Sequence, residues 1–125
     1  MQDMARFSSM LASRSTYGGA RILGANTIDL MRMNALNEAQ LKTFNDGTWT
    51  MNRGFGCGLG MRTMMDPIKA GCNMSIGAFG WEGHCGCYLL ADPEKNVSIF
   101  YAQQMTPNDI AYFAPRFLAV IAGIL

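Results

Sequence analysis

The segment of residues 79–88 constrains the fold more than any other part of the chain, because it sets glycines into an apolar, aromatic run. Gly80, Gly83 and Gly86 interrupt residues that would otherwise form an ordinary strand and hairpin. Glycine weakens a strand, so a glycine inside one marks a point where a ligand or another backbone comes very close. We therefore predict a strand edge that stays open here, with its own N–H groups facing a substrate.

Length and composition favour one globular domain spanning residues 1–125, large enough to bury its own core. Half of the residues are apolar and 15% are charged, which excludes a disordered chain. The ten Lys and Arg residues are scattered and the net charge is +1, so no nucleic-acid partner is expected. The apolar residues 117–125 are too few to cross a bilayer. Without a signal-like N-terminus, a cytoplasmic protein with no membrane partner is expected.

Apolar spacing and capping residues predict helices at both ends of the chain. Asp3 is a candidate cap for a first helix, and Asn26 or Thr27 for a second. Residues 37–40 resemble a capping box, which predicts a short third helix over residues 41–44. Thr106 as N-cap, followed by proline and a capping-box aspartate, predicts the final helix, in which Pro115 should produce a kink.

Between these helices the pattern predicts strands. Residues 54–62 alternate glycine with larger residues at strand period, and further strands are expected at 78–81, 86–91 and 97–103. The last two are predicted to form a hairpin through residues 92–96. Helices, then antiparallel strands, then one helix indicate the α+β class, with a sheet of about three to four strands packed against the N-terminal helices and one C-terminal helix.

The four cysteines are Cys57, Cys72, Cys85 and Cys87, and reduced thiols are the simplest interpretation. His84, Cys85 and Cys87, with one further cysteine, also suggest zinc, but a one-residue spacing differs from the usual separation of zinc ligands. A Cys85–His84 nucleophilic pair is disfavoured because adjacent strand residues point to opposite faces. Small apolar packing residues are the favoured interpretation, and no metal or cofactor is expected.

The order of several short motifs resembles the C-terminal part of the serine β-lactamase, penicillin-binding-protein and related esterase superfamily. The resemblance covers essentially the whole chain, and it implies a partial β-lactamase-like fold. The motifs are Asp-x-x-Arg-Phe at 3–7, Arg-Ile-Leu at 21–23 before a helix ending in Met31, the glycine-rich residues 54–60, the glycine-threaded residues 79–88, and Asp-Pro at 92–93.

The resemblance implies where a substrate groove would lie. Trp81-Glu82-Gly83 fits the Trp-x-Gly form of the third family motif, and Gly86 takes the place of the glycine that usually follows. On this alignment the backbone N–H of His84 is one of two oxyanion-hole donors. Glu82 departs from the small residue expected there, and a carboxylate at such a site should repel developing negative charge.

The chain does not contain the other catalytic motifs of that superfamily. No serine is followed three residues later by lysine, and no tyrosine or serine is followed two residues later by asparagine. No catalytic residue is therefore assigned. Three hypotheses remain. The first is a domain of hydrolase ancestry without catalysis of its own, and the second is one part of a split β-lactamase or esterase whose partner chain carries the nucleophile. A metal- or thiol-binding protein is the third.

The strand predicted at residues 97–103 favours association with another chain. In the superfamily this strand is central, and the strands that would flank one side of it find no match here. Alternate residues place Val97, Ile99 and Tyr101 on one face and Ser98, Phe100 and Ala102 on the other, so both faces are largely apolar. Such a strand at a sheet edge invites pairing with another chain. We therefore expect a homodimer, or pairing with a complementary chain.

Overall fold

The computed structural model describes residues 1–125. It contains five α-helices, a 3-10 helix at Thr50–Asn52 and seven strands. The helices are α1 (Gln2–Ala12), α2 (Ala25–Met31), α3 (Glu38–Asp46), α4 (Pro67–Ala70) and α5 (Ile110–Gly123). The strands are β1 (Thr16–Tyr17), β2 (Ala20–Arg21), β3 (Phe55–Cys57), β4 (Arg62–Met64), β5 (Phe79–Glu82), β6 (Tyr88–Asp92) and β7 (Val97–Tyr101). None of the helices is long and apolar enough to cross a membrane.

The main sheet is an antiparallel meander in which β3, β4, β5, β6 and β7 lie side by side in chain order. A separate two-stranded sheet pairs β1 with β2. The predicted α+β class is confirmed, but the predicted strand number was too low. The reason lies in residues 54–62, where the Gly58 N–H donates to the Met61 carbonyl and Gly60 has a φ of +70°. The chain turns back there and forms a hairpin of β3 and β4.

The sheet is covered on both faces, and β6 carries residues into each of two cores. Tyr88 and Leu90 point into a core that contains Leu118 of α5. Leu89 and Ala91 point into the other core, which contains residues of α1 and α2. All five residues of β6 are buried, so this strand lies in the middle layer between helices. Strand β5 lies between β6 and β4, so it is an interior strand of the same sheet.

Two local predictions are confirmed. The Asn37 side chain accepts from the Gln40 N–H and the Gln40 side chain accepts from the Asn37 N–H, so α3 begins with a complete capping box. The hairpin of β6 and β7 also forms as expected. Its turn is held by the buried Asp92 carboxylate, which accepts from the backbone N–H groups of Glu94 and Lys95.

The predicted caps of the first two helices are wrong by two to three residues. Asp3 lies inside the first turn of α1, where its carboxylate accepts a hydrogen bond from Arg6 at 3.2 Å. Helix α2 is capped by Gly24, in an extended conformation, rather than by Asn26 or Thr27. Both helices therefore start without a side-chain cap.

The final helix starts later than its sequence signal predicts. Asp109 is the N-cap and the first helical residue is Ile110, so Thr106 is not a cap. The Asn108 side chain accepts from the Ile110 N–H at 3.1 Å, and this contact satisfies the first backbone donor of the helix. Pro115 lies inside α5, which continues through it to Gly123.

Candidate functional site

The end of β5 has a free edge. Strand β6 pairs with all four residues of β5, whereas β4 pairs only with Phe79 and Gly80. From Trp81 onward, the side of β5 that faces β4 therefore has no neighbouring strand. The open edge expected from the sequence exists in the second half of the strand, while the first half lies inside the sheet.

The turn that follows β5 leaves the backbone N–H of His84 without an acceptor in the chain. The Gly83 N–H donates to the Cys87 carbonyl at 2.8 Å, and the Gly86 N–H donates to the Gly83 carbonyl at 2.9 Å. The N–H of His84, which lies between them, donates no hydrogen bond within the chain. The His84 carbonyl accepts from the Asn108 amide at 2.8 Å, so this residue is held in place while its N–H stays free.

The glycines of this segment are explained by close packing within the chain. A Cβ at Gly80 would overlap the Leu89 carbonyl oxygen of β6 and lie 2.8 Å from the Leu90 Cα. A Cβ at Gly83 would overlap the Cys87 sulfur, and Gly86 has a φ of +88°. The close approach expected at these glycines is therefore made by the chain itself: by the backbone of β6 at Gly80 and by the Cys87 side chain at Gly83.

Glu82 is buried, and each oxygen of its carboxylate has a partner. One carboxylate oxygen accepts from the Trp49 indole N–H at 2.8 Å, and the other contacts the Arg62 guanidinium. Arg62 also donates to the Asn52 side chain at 3.3 Å. The expectation that Glu82 would repel negative charge overlooked this pairing, because Arg62 was not predicted to lie there. The guanidinium of Arg62 therefore balances the negative charge of the Glu82 carboxylate at hydrogen-bond distance.

Arg62 is surrounded by aromatic rings. Its guanidinium carbon lies 5.5 Å from the centre of the Phe55 ring and 5.2 Å from that of Trp81, within the range of cation–π contacts. Burial lowers the pKa of Arg62, and the nearby Tyr88 hydroxyl opposes that shift. An arginine remains protonated in proteins nevertheless. Burial in turn raises the pKa of Tyr88 to about 12, with the Arg62 charge opposing the shift.

A groove of about 380 Å³ opens beside the free edge of β5. Such a volume lies within the range of small-molecule sites. The groove is lined by Trp49, Asn52, Trp81, Glu82, Gly83, His84, Asn108 and Ile110, with no serine or lysine among them.

The structure brings together four of the predicted site residues (Trp81, Glu82, Gly83 and His84), while Gly86 lies in the turn behind them. The remaining lining residues come from the 3-10 helix region and from the start of α5. The sequence around these residues carries no recognisable motif, so only the fold identifies them as part of the groove.

The cysteines form no metal site. No group of three or more His, Cys, Asp or Glu side chains is placed to hold a metal ion, so His84, Cys85 and Cys87 do not converge as ligands. All four cysteines are free thiols. Cys72 is buried, and this burial raises its thiol pKa. Cys85 is exposed.

Comparison with curated proteins finds two matches, both in Mycobacterium tuberculosis. No protein-family model matches the chain. The protein Rv1367c of Mycobacterium tuberculosis is 32% identical over 110 residues, which cover 85% of this chain and 27% of that protein. An uncharacterised protein from a second strain of the same species, MT1414, matches to the same extent. The chain thus spans about a quarter of the length of these relatives.

Solved structures identify the fold. The simvastatin synthase LovD of Aspergillus terreus superposes with a TM-score of 0.74 at 19% identity, over 94% of this chain and 32% of LovD. EstCE1, a hydrolase with promiscuous acyltransferase activity, superposes with a TM-score of 0.62 at 21% identity, over 93% of this chain and 26% of EstCE1. Both are serine β-lactamase-like acyltransferases or esterases. The chain has the fold of one part of a β-lactamase-like serine enzyme. The chain thus spans about a third of the length of LovD and about a quarter of that of EstCE1.

Proposed function

We propose that this chain forms one wall of an acyl-transfer or ester-hydrolysis site of the β-lactamase-like type, and that it does not turn over substrate by itself. The observation that carries the proposal is the free N–H of His84, which lies at the open end of β5 and beside a groove of about 380 Å³. The β-lactamase-like fold and the Trp81-Glu82-Gly83 motif support the same assignment.

The chemistry of acyl transfer explains what such a donor would do. When a nucleophile attacks an ester or amide carbonyl, negative charge develops on its oxygen, and a backbone N–H aimed at that oxygen stabilises it. Losing one donor of this kind typically lowers the rate ~10²–10³-fold. The negative charge of Glu82 does not oppose this role, because its carboxylate is paired with Arg62 and Trp49.

The nucleophile must come from outside these 125 residues, since they contain no serine followed three positions later by lysine. An oxyanion donor without a nucleophile leaves only weak catalysis. The experiment is to incubate the purified chain with a penicillin and with a fluorophosphonate probe, and to assay short-chain esters. We expect no covalent adduct by intact mass and no enzymatic hydrolysis. A stoichiometric adduct on any side chain would contradict the proposal.

A second candidate is one part of a split enzyme, completed by a partner chain that carries the nucleophile. The observation in its favour is β7, which lies at the end of the sheet with one side unpaired. Its exposed backbone could pair with a partner strand or with β7 of a second copy, and two-fold pairing is the commonest arrangement of identical chains. Light scattering is expected to give the mass of a dimer for the purified chain, and a monomer at micromolar concentration would contradict self-association.

A further inference from the structure

The groove is bordered by both tryptophans of the chain. Trp49 and Trp81 are the two tryptophans in the sequence, they lie 32 positions apart, and both line the same cavity. Their exposed fractions are 49% and 42%, so each presents about half of its side chain to solvent. Large exposed aromatic side chains that meet in one concavity are typical of ligand-binding sites.

A single buried ion pair holds both tryptophans. Glu82 accepts the indole N–H of Trp49 at 2.8 Å, and the Arg62 guanidinium lies 5.2 Å from the ring centre of Trp81. Because Arg62 and Glu82 are themselves 2% and 6% exposed at the side chain, they form a fixed base under the groove. The two indoles are therefore oriented before any ligand arrives, and a ligand need not provide the free energy to order them.

We propose that Trp49 and Trp81 form an aromatic clamp that selects ligands with a flat aromatic ring next to a carbonyl group. The ring packs against the exposed indole surfaces, where aromatic pairs gain more than buried area alone provides. The carbonyl oxygen accepts from the free N–H of His84. The identity of this polar contact rests on the proposed function, whereas the preference for an aromatic ring rests on the tryptophans alone.

The test uses two amides that share the same polar group. Acetanilide carries a flat aromatic ring, and N-cyclohexylacetamide carries a puckered ring. The titration measures non-covalent binding of both, so it does not require a nucleophile. Titration of the ¹⁵N-labelled chain, followed by NMR, reports the two indole N–H signals and the His84 amide. We expect acetanilide to shift all three and to bind at least about fivefold more tightly than N-cyclohexylacetamide. Equal affinity for the two amides, or no binding of acetanilide, would overturn the aromatic clamp.

Variants test which side chains carry the preference. Trp49→Ala and Trp81→Ala should each weaken acetanilide binding about five- to tenfold. Both side chains are about half exposed, so their removal leaves the cores intact. Tyr17→Ala is the matched control, because Tyr17 is 45% exposed and lies outside the groove. Its affinity should be unchanged, and equal losses in all three variants would overturn the proposal.

A ligand without a ring separates this inference from the proposed function. Methylphosphonate offers an oxyanion to the His84 N–H but no ring to pack against the indoles. If it shifts the His84 amide while the two amides bind equally, the proposed function is supported and the aromatic clamp is overturned. If acetanilide shows its ring preference while neither ligand moves the His84 amide, the clamp is supported and the proposed oxyanion donor is contradicted.

Discussion

The substitution Glu82→Ala should destabilise the fold strongly. Arg62 would keep its charge in a site where its side chain is 2% exposed, after losing the carboxylate that balances it. Breaking a buried ion pair by removing one partner costs about 3–5 kcal/mol. The indole N–H of Trp49 also loses its acceptor, but Trp49 is 49% exposed and water can replace Glu82 there. We therefore expect the free energy of unfolding to fall by about 4 kcal/mol.

The assay is urea unfolding followed by circular dichroism, with Glu94→Ala as the matched control. Glu94 also pairs with an arginine, Arg32, at 3.2 Å, but its side chain is 58% exposed. Exposed pairs contribute about 0–1 kcal/mol, so the control should lie close to the wild-type chain. A Glu82→Ala variant that is no less stable than Glu94→Ala would refute the reasoning about the buried pair.

A double variant distinguishes the lost pairing from lost packing. Arg62→Met combined with Glu82→Leu removes both charges and leaves an apolar side chain at each position. Replacing a buried ion pair by apolar residues is often neutral or stabilising, so most of the stability lost in Glu82→Ala should return. If the double variant is as unstable as the single one, the charge left on Arg62 is not the cause.

Three further predictions concern the rest of the fold. Gly80→Ala should cost about 3 kcal/mol in urea unfolding, because its Cβ overlaps the backbone of β6, whereas Gly123→Ala, with nothing within 4 Å, should cost little. Because burial raises the pKa of Tyr88 from 10.0 to about 12, the folded state holds that proton more tightly, and stability should fall as pH rises through that window. The loss, roughly 3 kcal/mol in pH-dependent unfolding, should vanish in Tyr88→Phe. Asn37→Ala should cost about 1 kcal/mol and lower the helical circular dichroism, since it removes the capping box of α3.

Local sequence signals predicted elements whose stabilising contacts are also local. The capping box of α3 and the hairpin of β6 and β7 were predicted because Asn37 and Asp92 bond to residues within three positions. The same reasoning failed at the final helix, where Asn108, rather than Thr106, satisfies the first backbone N–H. Asn108 satisfies a donor two positions along the chain, a contact that the predicted capping box at Thr106 does not include.

The site was only partly predictable, because its balance of charge depends on the tertiary fold. Residues 81–83 of the predicted motif are among those that line the groove, but Glu82 was interpreted as a repelling charge. Its partners Trp49 and Arg62 are 33 and 20 positions away, and no periodicity links them to β5. The glycine at position 80 similarly indicated a close approach, but only the sheet pairing reveals that the approaching group is the backbone of β6.

The proposed role of this chain depends most directly on the N–H of His84. The decisive measurement is an NMR titration of the ¹⁵N-labelled chain with methylphosphonate, in which the amides of Gly83 and Gly86 serve as internal controls because both are already hydrogen-bonded. We predict that the His84 amide shifts more than either glycine amide, and that the shift saturates. If the His84 amide does not respond, or responds no more than Gly83 and Gly86, the assignment of an oxyanion donor at the end of β5 is contradicted.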